Sequence, residues 1–196
     1  MTALSTGFQN SVTAEPTLVC VGGAPGAGKT TVGALVAAAN RMCLVDLDSV
    51  TTALVEAFAA DLGTAADLDA PGFARLRPAR YACLGQVVSD NLRAGLDVVA
   101  VAPFTTEVGD ARAWREQAAA WGAARVVLCW LDVEPAESAR RTAARRLPRD
   151  LAKAGARPAS TVVDRAGLDL VLDAAADPAV SCAAVLAALR AGRMPP

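Results

Sequence analysis

An α/β fold, with a five-stranded parallel sheet between two helical layers, is predicted by two features of this 196-residue sequence. Short apolar runs rich in β-branched residues alternate with alanine-rich stretches of helical spacing along most of the chain. A glycine-rich loop joins the first such run directly to the first helical stretch, as a parallel strand–loop–helix unit requires. At this length one domain is expected, over residues 17–196, behind a polar, disordered lead of residues 1–16.

The run 17–22 (TLVCVG) is the first predicted strand, and residues 30–40 are the alanine-rich helix beyond the loop. A second strand, 42–47, ends at Asp46-Leu47-Asp48, and a helix is expected from 49 to about 60. Gly63, Pro71, Gly72 and Pro78 break the segment 61–78, which reads as a loop over a site. The next helix spans 80–94 and stops at Gly95. The third strand is 97–102 (DVVAVA), followed by a helix over 109–121 and a fourth strand over 125–131 (RVVLCWL). Pro135 opens a helix at its favoured first position, running to about residue 146. The basic segment 147–158 is interrupted by Pro148 and Gly155. A weaker fifth strand at 168–172 and a helix over 178–189 complete the alternation.

Composition narrows the chemistry. The chain is 54% hydrophobic but only 4% aromatic, so alanine, valine and leucine must fill the core. A formal net charge of −1 argues against broad attraction to nucleic acid or membrane surfaces, and no apolar run reaches membrane-spanning length. There is no histidine, which excludes imidazole catalysis and histidine metal sites. Five scattered cysteines without a C-x-x-C pair fit a reducing cytoplasm. The N-terminus lacks the basic and apolar regions of a signal peptide, so a cytoplasmic protein is expected. No exposed heptad or long apolar patch marks a subunit interface, and the oligomeric state stays open.

The most specific signal is Gly23-Ala24-Pro25-Gly26-Ala27-Gly28-Lys29-Thr30, followed by Thr31. It matches G-x-x-x-x-G-K-[ST] with a strand before it and a helix after it. Glycines let backbone N–H groups converge on phosphate oxygens, and the helix N-terminus adds partial positive charge. Lys29 would reach the β- and γ-phosphates of ATP, and the Thr30 hydroxyl would ligate Mg²⁺.

Asp46 and Asp48 end the second strand on the rim where parallel sheets collect ligands. Transfer of a phosphoryl group to an alcohol needs a carboxylate to accept the hydroxyl proton and a metal held near the phosphate. Asp48 is the candidate for the first role and Asp46 for the metal shell; the alternative is that Asp48 only caps a helix. Arg140, Arg141, Arg145, Arg146 and Arg149 form a basic group, in which Arg141 and Arg145 share one helix face. Such a pair can close over a triphosphate and stabilise the transferring group. The third strand ends without an acidic residue, so Mg²⁺ would depend on Thr30, Asp46 and water, and the absence of an [NT]-K-x-D motif argues against a GTPase.

On these residues the chain resembles the P-loop small-molecule kinases, such as adenylylsulfate kinase, gluconate kinase, chloramphenicol phosphotransferase and zeta-toxin-like proteins. GGAPGAGKTT resembles their phosphate loop, VDLDSV the D-G-D block, and VVAVAPFTTE the strand-then-SPF block of adenylylsulfate kinase. The resemblance implies a three-layer kinase fold with an arginine-bearing lid at about 136–158. It implies Asp48 near the acceptor hydroxyl, Pro103, Phe104 and Thr105 beside the substrate, and Arg141 and Arg145 in the lid's R-x-x-x-R. Arg75, Arg77, Arg80 and Tyr81 would face the same acceptor, with Arg77 and Arg80 either recognising an anion or forming a solvated helix face. The expected activity is transfer of the γ-phosphate of ATP to a hydroxyl of a metabolite or antibiotic-like molecule. Two alternatives stand beside it: a regulatory ATPase, and a zeta-toxin-like nucleotide-sugar kinase.

Overall fold

The structure, a computed structural model, describes residues 15–64, 68, 73, 75–144 and 162–191. The expected disordered lead apart from Glu15 and Pro16, the lid beyond Ala144, and Arg145, Arg146 and Arg149 all lie outside the described residues.

Five strands, β1 (Thr17–Gly23), β2 (Cys43–Asp46), β3 (Val98–Val101), β4 (Arg125–Asp132) and β5 (Leu170–Asp173), form one sheet. All pairings are parallel and the order is β2-β3-β1-β4-β5, so the strand before the glycine-rich loop is central. Among the described residues the helices are α1 (Lys29–Asn40), α2 (Leu47–Asp61), α3 (Leu76–Arg93), α4 (Ala111–Ala120), α5 (Pro135–Ala144) and α6 (Pro178–Ala191).

Strand periodicity produces the layers. Leu18 and Cys20 of β1 join Leu84 and Val88 of α3 and Trp114 of α4 on one face of the sheet. Val19 and Val21 join Val32 and Val36 of α1 and Val185 and Leu189 of α6 on the other. A smaller cluster of Val55, Ala59 and Phe73 lies apart from these, with Leu68 and Leu76 against it.

Several element boundaries shift by a few residues from expectation, and two of the shifts have a clear local cause. Helix α3 starts at Leu76 rather than residue 80, with Pro78 inside its first turn. A first-turn residue has no intrahelical acceptor for its N–H, so proline is tolerated there. The helix expected from residue 109 begins instead at Ala111, after a 3₁₀ turn over Glu107–Gly109. Asp110 sets that start by accepting a hydrogen bond from Ala113 N at 2.9 Å.

Helix α1 sits unusually close to β3. A Cβ built on Gly33 would fall 2.4 Å from Val101 Cγ2, which belongs to a stiff β-branched side chain in the buried sheet. Gly33→Ala therefore gains helix propensity of up to about 1 kcal/mol and meets overpacking of about 1–3 kcal/mol. The expected net result is a protein less stable by about 1 kcal/mol in denaturant titration; a more stable variant would contradict the close approach.

Beyond β3 the chain turns through Phe104 with φ at 48°, a left-handed conformation rarely adopted by a bulky residue. Packing and one hydrogen bond hold it there. Phe104 N–H donates to the Tyr81 hydroxyl oxygen at 2.9 Å. Its ring lies 5.7 Å from the Tyr81 ring and 4.7 Å from the Trp114 ring. Burial, with Glu107 adding, pushes the Tyr81 phenol from 10.0 up to about 12, against the lowering effects of the Phe104 N–H, Arg77 and Arg80. The fold thus favours the neutral phenol: this stabilisation is complete below pH 10 and is lost as pH rises towards about 12. Tyr81 is the chain's one tyrosine, so a near-ultraviolet titration reads it alone. The native protein should ionise near pH 12 and the denatured chain near 10; a native midpoint at the denatured value would mean the hydroxyl is not held in the core.

Candidate active site

The loop from Gly23 to Gly28 leaves the C-terminal end of the central strand and runs into the N-terminus of α1. Gly26 takes φ of 78°, and a Cβ there would come within 3.1 Å of Arg141 Cβ and the Ser138 carbonyl. Both the backbone conformation and the space admit only glycine without strain. The first helical hydrogen bond of α1 runs from Val32 N to Gly28 O. The N–H groups of Thr30 and Thr31, just before it in the first turn, thus lie at the positive end of the helix with no intrahelical acceptor. The Lys29 ammonium lies back along the loop and donates to the Ala24 carbonyl at 2.9 Å.

Asp46 is buried and ties three segments together. Its Oδ2 accepts from the Thr30 hydroxyl at 2.8 Å, and its Oδ1 accepts from Asp48 N–H at 2.8 Å. The helix cap of α2 is therefore Asp46, and Asp48 sits in the first turn with its side chain about half exposed. Thr30 and Asp46 offer two hard oxygen donors side by side. No group of three or more His, Cys, Asp or Glu able to hold a metal occurs among the described residues. Two protein oxygens suit Mg²⁺, which keeps several waters and takes further ligands from phosphates; the donor set fits that ion.

Two cavities flank the loop. One, of about 160 Å³, lies on the β2–β3 side and is lined by Lys29, Thr30, Asp46, Asp48, Arg80 and Pro103, among others. Leu68, from the segment expected to cover a site, also borders it. Arg80 donates from Nη2 to Asp48 Oδ1 at 2.7 Å and from Nε to Thr51 Oγ1 at 2.8 Å. Other expected acceptor residues stand behind this wall. Arg77 pairs with Glu107 at 3.0 Å and lies 4.4 Å over the Tyr81 ring. Tyr81 and Phe104 are core residues, and Thr105 does not line the cavity.

The other cavity, of about 270 Å³, lies on the β4–β5 side, between Ala27, Gly28 and Thr31, the segment Asp173 to Ala176, and Arg141. Sequence reasoning missed this wall, because alanines presenting backbone carry no chemical signal. Helix α5 docks on the phosphate loop here, with the Ser138 hydroxyl donating to Pro25 O at 2.7 Å. Arg141 donates to Ala174 O at 2.9 Å and approaches Gly26 O at 3.5 Å. Hydrogen bonds from Arg140 and Arg141 hold the Glu137 carboxyl down at about 2, from 4.5. Arg141 thus lies against the glycine-rich loop and lines the larger cavity, which Asp48 does not border.

Residues 18–163 match the family model described as AAA domain. The sequence matches no curated protein. Among solved structures, a sugar kinase from Janibacter superposes with a TM-score of 0.61 at 17% identity, covering 91% of this chain and 96% of that one. The APS kinase of Mycobacterium tuberculosis, solved with AMPPNP and APS, gives 0.60 at 18% identity over 90% and 98% of the two chains. A gluconokinase from Sinorhizobium meliloti gives 0.58 at 18% identity over 90% and 93%. The likeness is one of fold, and it is the fold of the P-loop small-molecule kinases. With its strand, phosphate loop and helix inside the matched span, the chain belongs to the AAA domain family.

Proposed function

We propose that the protein is an ATP-dependent kinase that transfers the γ-phosphate to a hydroxyl of a small molecule. The observation that carries the reading is one cavity lined jointly by Lys29, Thr30, Asp46 and Asp48. Phosphate-binding and carboxylate groups then meet at one space of acceptor size, a geometry that ATP hydrolysis for signalling alone does not require.

In this reading the nucleotide phosphates lie along the loop from Gly23 to Thr31, where backbone N–H groups and the Lys29 ammonium bind them. Thr30 and Asp46 hold Mg²⁺, which when bound neutralises charge on the phosphate oxygens. Asp48 orients the acceptor hydroxyl and takes its proton as the oxygen attacks phosphorus. Phosphoryl transfer is loose, so this positioning contributes alongside basicity. The base and ribose occupy the larger cavity, against the Ala174–Ala176 backbone and the Arg141 guanidinium. Pro103 and Leu68 border the acceptor, while Tyr81 and Phe104 shape the turn that carries Pro103.

Measuring ADP formation against a library of small-molecule alcohols tests the assignment: at least one class should accelerate ATP consumption and yield a phosphate monoester. Slow hydrolysis indifferent to every alcohol would overturn it. Lys29→Ala should cut turnover by at least about 10²-fold in a folded protein. Asp48→Asn should slow transfer by roughly 10²–10⁴-fold with nucleotide affinity little changed. An Asp48→Asn enzyme as fast as wild type would remove Asp48 from the chemistry.

Arg141 separates the two ends of the nucleotide. Held beside Ala174, it should act on binding, so Arg141→Ala raises KM for ATP by on the order of tenfold with a smaller change in kcat. The opposite split, a lowered kcat at unchanged KM, would return Arg141 to the transferring phosphoryl group.

A further inference from the structure

We propose that the acceptor is an uncharged alcohol with an apolar flank, and that the Asp48–Arg80 ion pair keeps anionic acceptors out. The inference rests on the kinase reading and narrows its substrate class.

Charge bookkeeping around the smaller cavity carries it. Among the described residues lining that cavity, the cations are Lys29 and Arg80 and the anions are Asp46 and Asp48. Lys29 and Asp46 belong to the phosphate and metal side, which leaves Asp48 and Arg80 for the acceptor. Those two neutralise each other at 2.7 Å, and only 12% of the Arg80 side chain is exposed. A second bond to Thr51 fixes the guanidinium, and the Thr51 hydroxyl is itself anchored on Leu47 O at 2.6 Å. Arg77, the next cation along α3, is matched by Glu107, whose side chain is also only 12% exposed. Arg80 and, behind it, Arg77 thus each have a carboxylate partner built into the fold.

An anionic acceptor placed beside a triphosphate needs a cation to offset the repulsion. Here it would have to displace a carboxylate from Arg80, whose guanidinium is already held by Asp48 and Thr51 and whose side chain is only 12% exposed. An uncharged alcohol leaves the pair intact. Its hydroxyl donates to the Asp48 carboxylate, which accepts several hydrogen bonds. Its carbon skeleton lies against Leu68, Ala102 and Pro103, which also line the cavity.

The test uses inorganic sulfate as the probe, with the phosphate loop filled by AMPPNP and Mg²⁺ and ionic strength held constant. Asp48→Asn keeps the side chain's shape and releases the Arg80 charge. Its affinity for sulfate should exceed that of the wild type by on the order of tenfold, and the additional Arg80→Gln substitution should abolish the gain. No gain in Asp48→Asn, whether both proteins bind sulfate or neither does, overturns the inference. Turnover supplies a second reading. A free carboxylate used by the wild-type enzyme in preference to its methyl ester, as with shikimate and methyl shikimate, overturns the inference and leaves the kinase reading standing. Failure of every alcohol strikes the kinase reading instead, and the sulfate titration still decides whether the ion pair excludes anions.

Discussion

The carboxylate of Asp46 joins the two halves of the site. One oxygen accepts the hydroxyl of Thr30, at the start of α1, and the other accepts the N–H of Asp48, at the start of α2. A buried carboxylate needs hydrogen-bond partners, and here both come from the first turns of the helices that follow β1 and β2. Fixing α2 in this way aims Asp48 at Arg80, so this wall of the smaller cavity is set by the same residue that faces the proposed metal position. Both proposed chemical roles, holding a cation and aligning an alcohol, depend on this one side chain being buried and fixed by these two bonds, which leave further lone pairs for the cation.

The order β2-β3-β1-β4-β5 explains why the site has two arms. With the phosphate loop on the central strand, the ends of β2 and β3 can only form a cavity on one side of it, and the ends of β4 and β5 on the other. Close packing keeps the loop rigid between them. Gly23 N–H donates to Pro103 O on the side of the smaller cavity at 3.2 Å, and Ser138 reaches Pro25 O on the other. The left-handed Phe104 is the strained point of this frame, held by Tyr81 and Trp114.

Local signals in the sequence were enough for the strands, the phosphate loop and most of the helices. Apolar β-branched runs have few other uses, and the loop's glycines, lysine and threonine are contiguous. Pro78 misled because its breaker reading ignores how harmless proline is in a helix's first turn. Asp46 and Asp48 were visible as a pair, but which of them caps α2 depends on a bond to Thr30, 16 residues away. Arg80, which lines the smaller cavity, was legible as a basic residue of the same helix as Tyr81. Its neutralisation by Asp48, 32 residues earlier, was not. The Ala174–Ala176 wall left no trace, since what it offers is backbone. The lid arginine Arg145 lies outside the described residues, and its assignment still rests on the R-x-x-x-R resemblance.

The central claim is that the phosphoryl group leaving ATP goes to an alcohol and not to water. Turnover in heavy-oxygen water, with an accepted alcohol present and the products analysed by phosphorus NMR, separates the two directly. Transfer predicts a phosphate monoester whose phosphorus carries no solvent oxygen, formed one for one with ADP. Inorganic phosphate carrying a solvent oxygen, with the alcohol left unmodified, would contradict it.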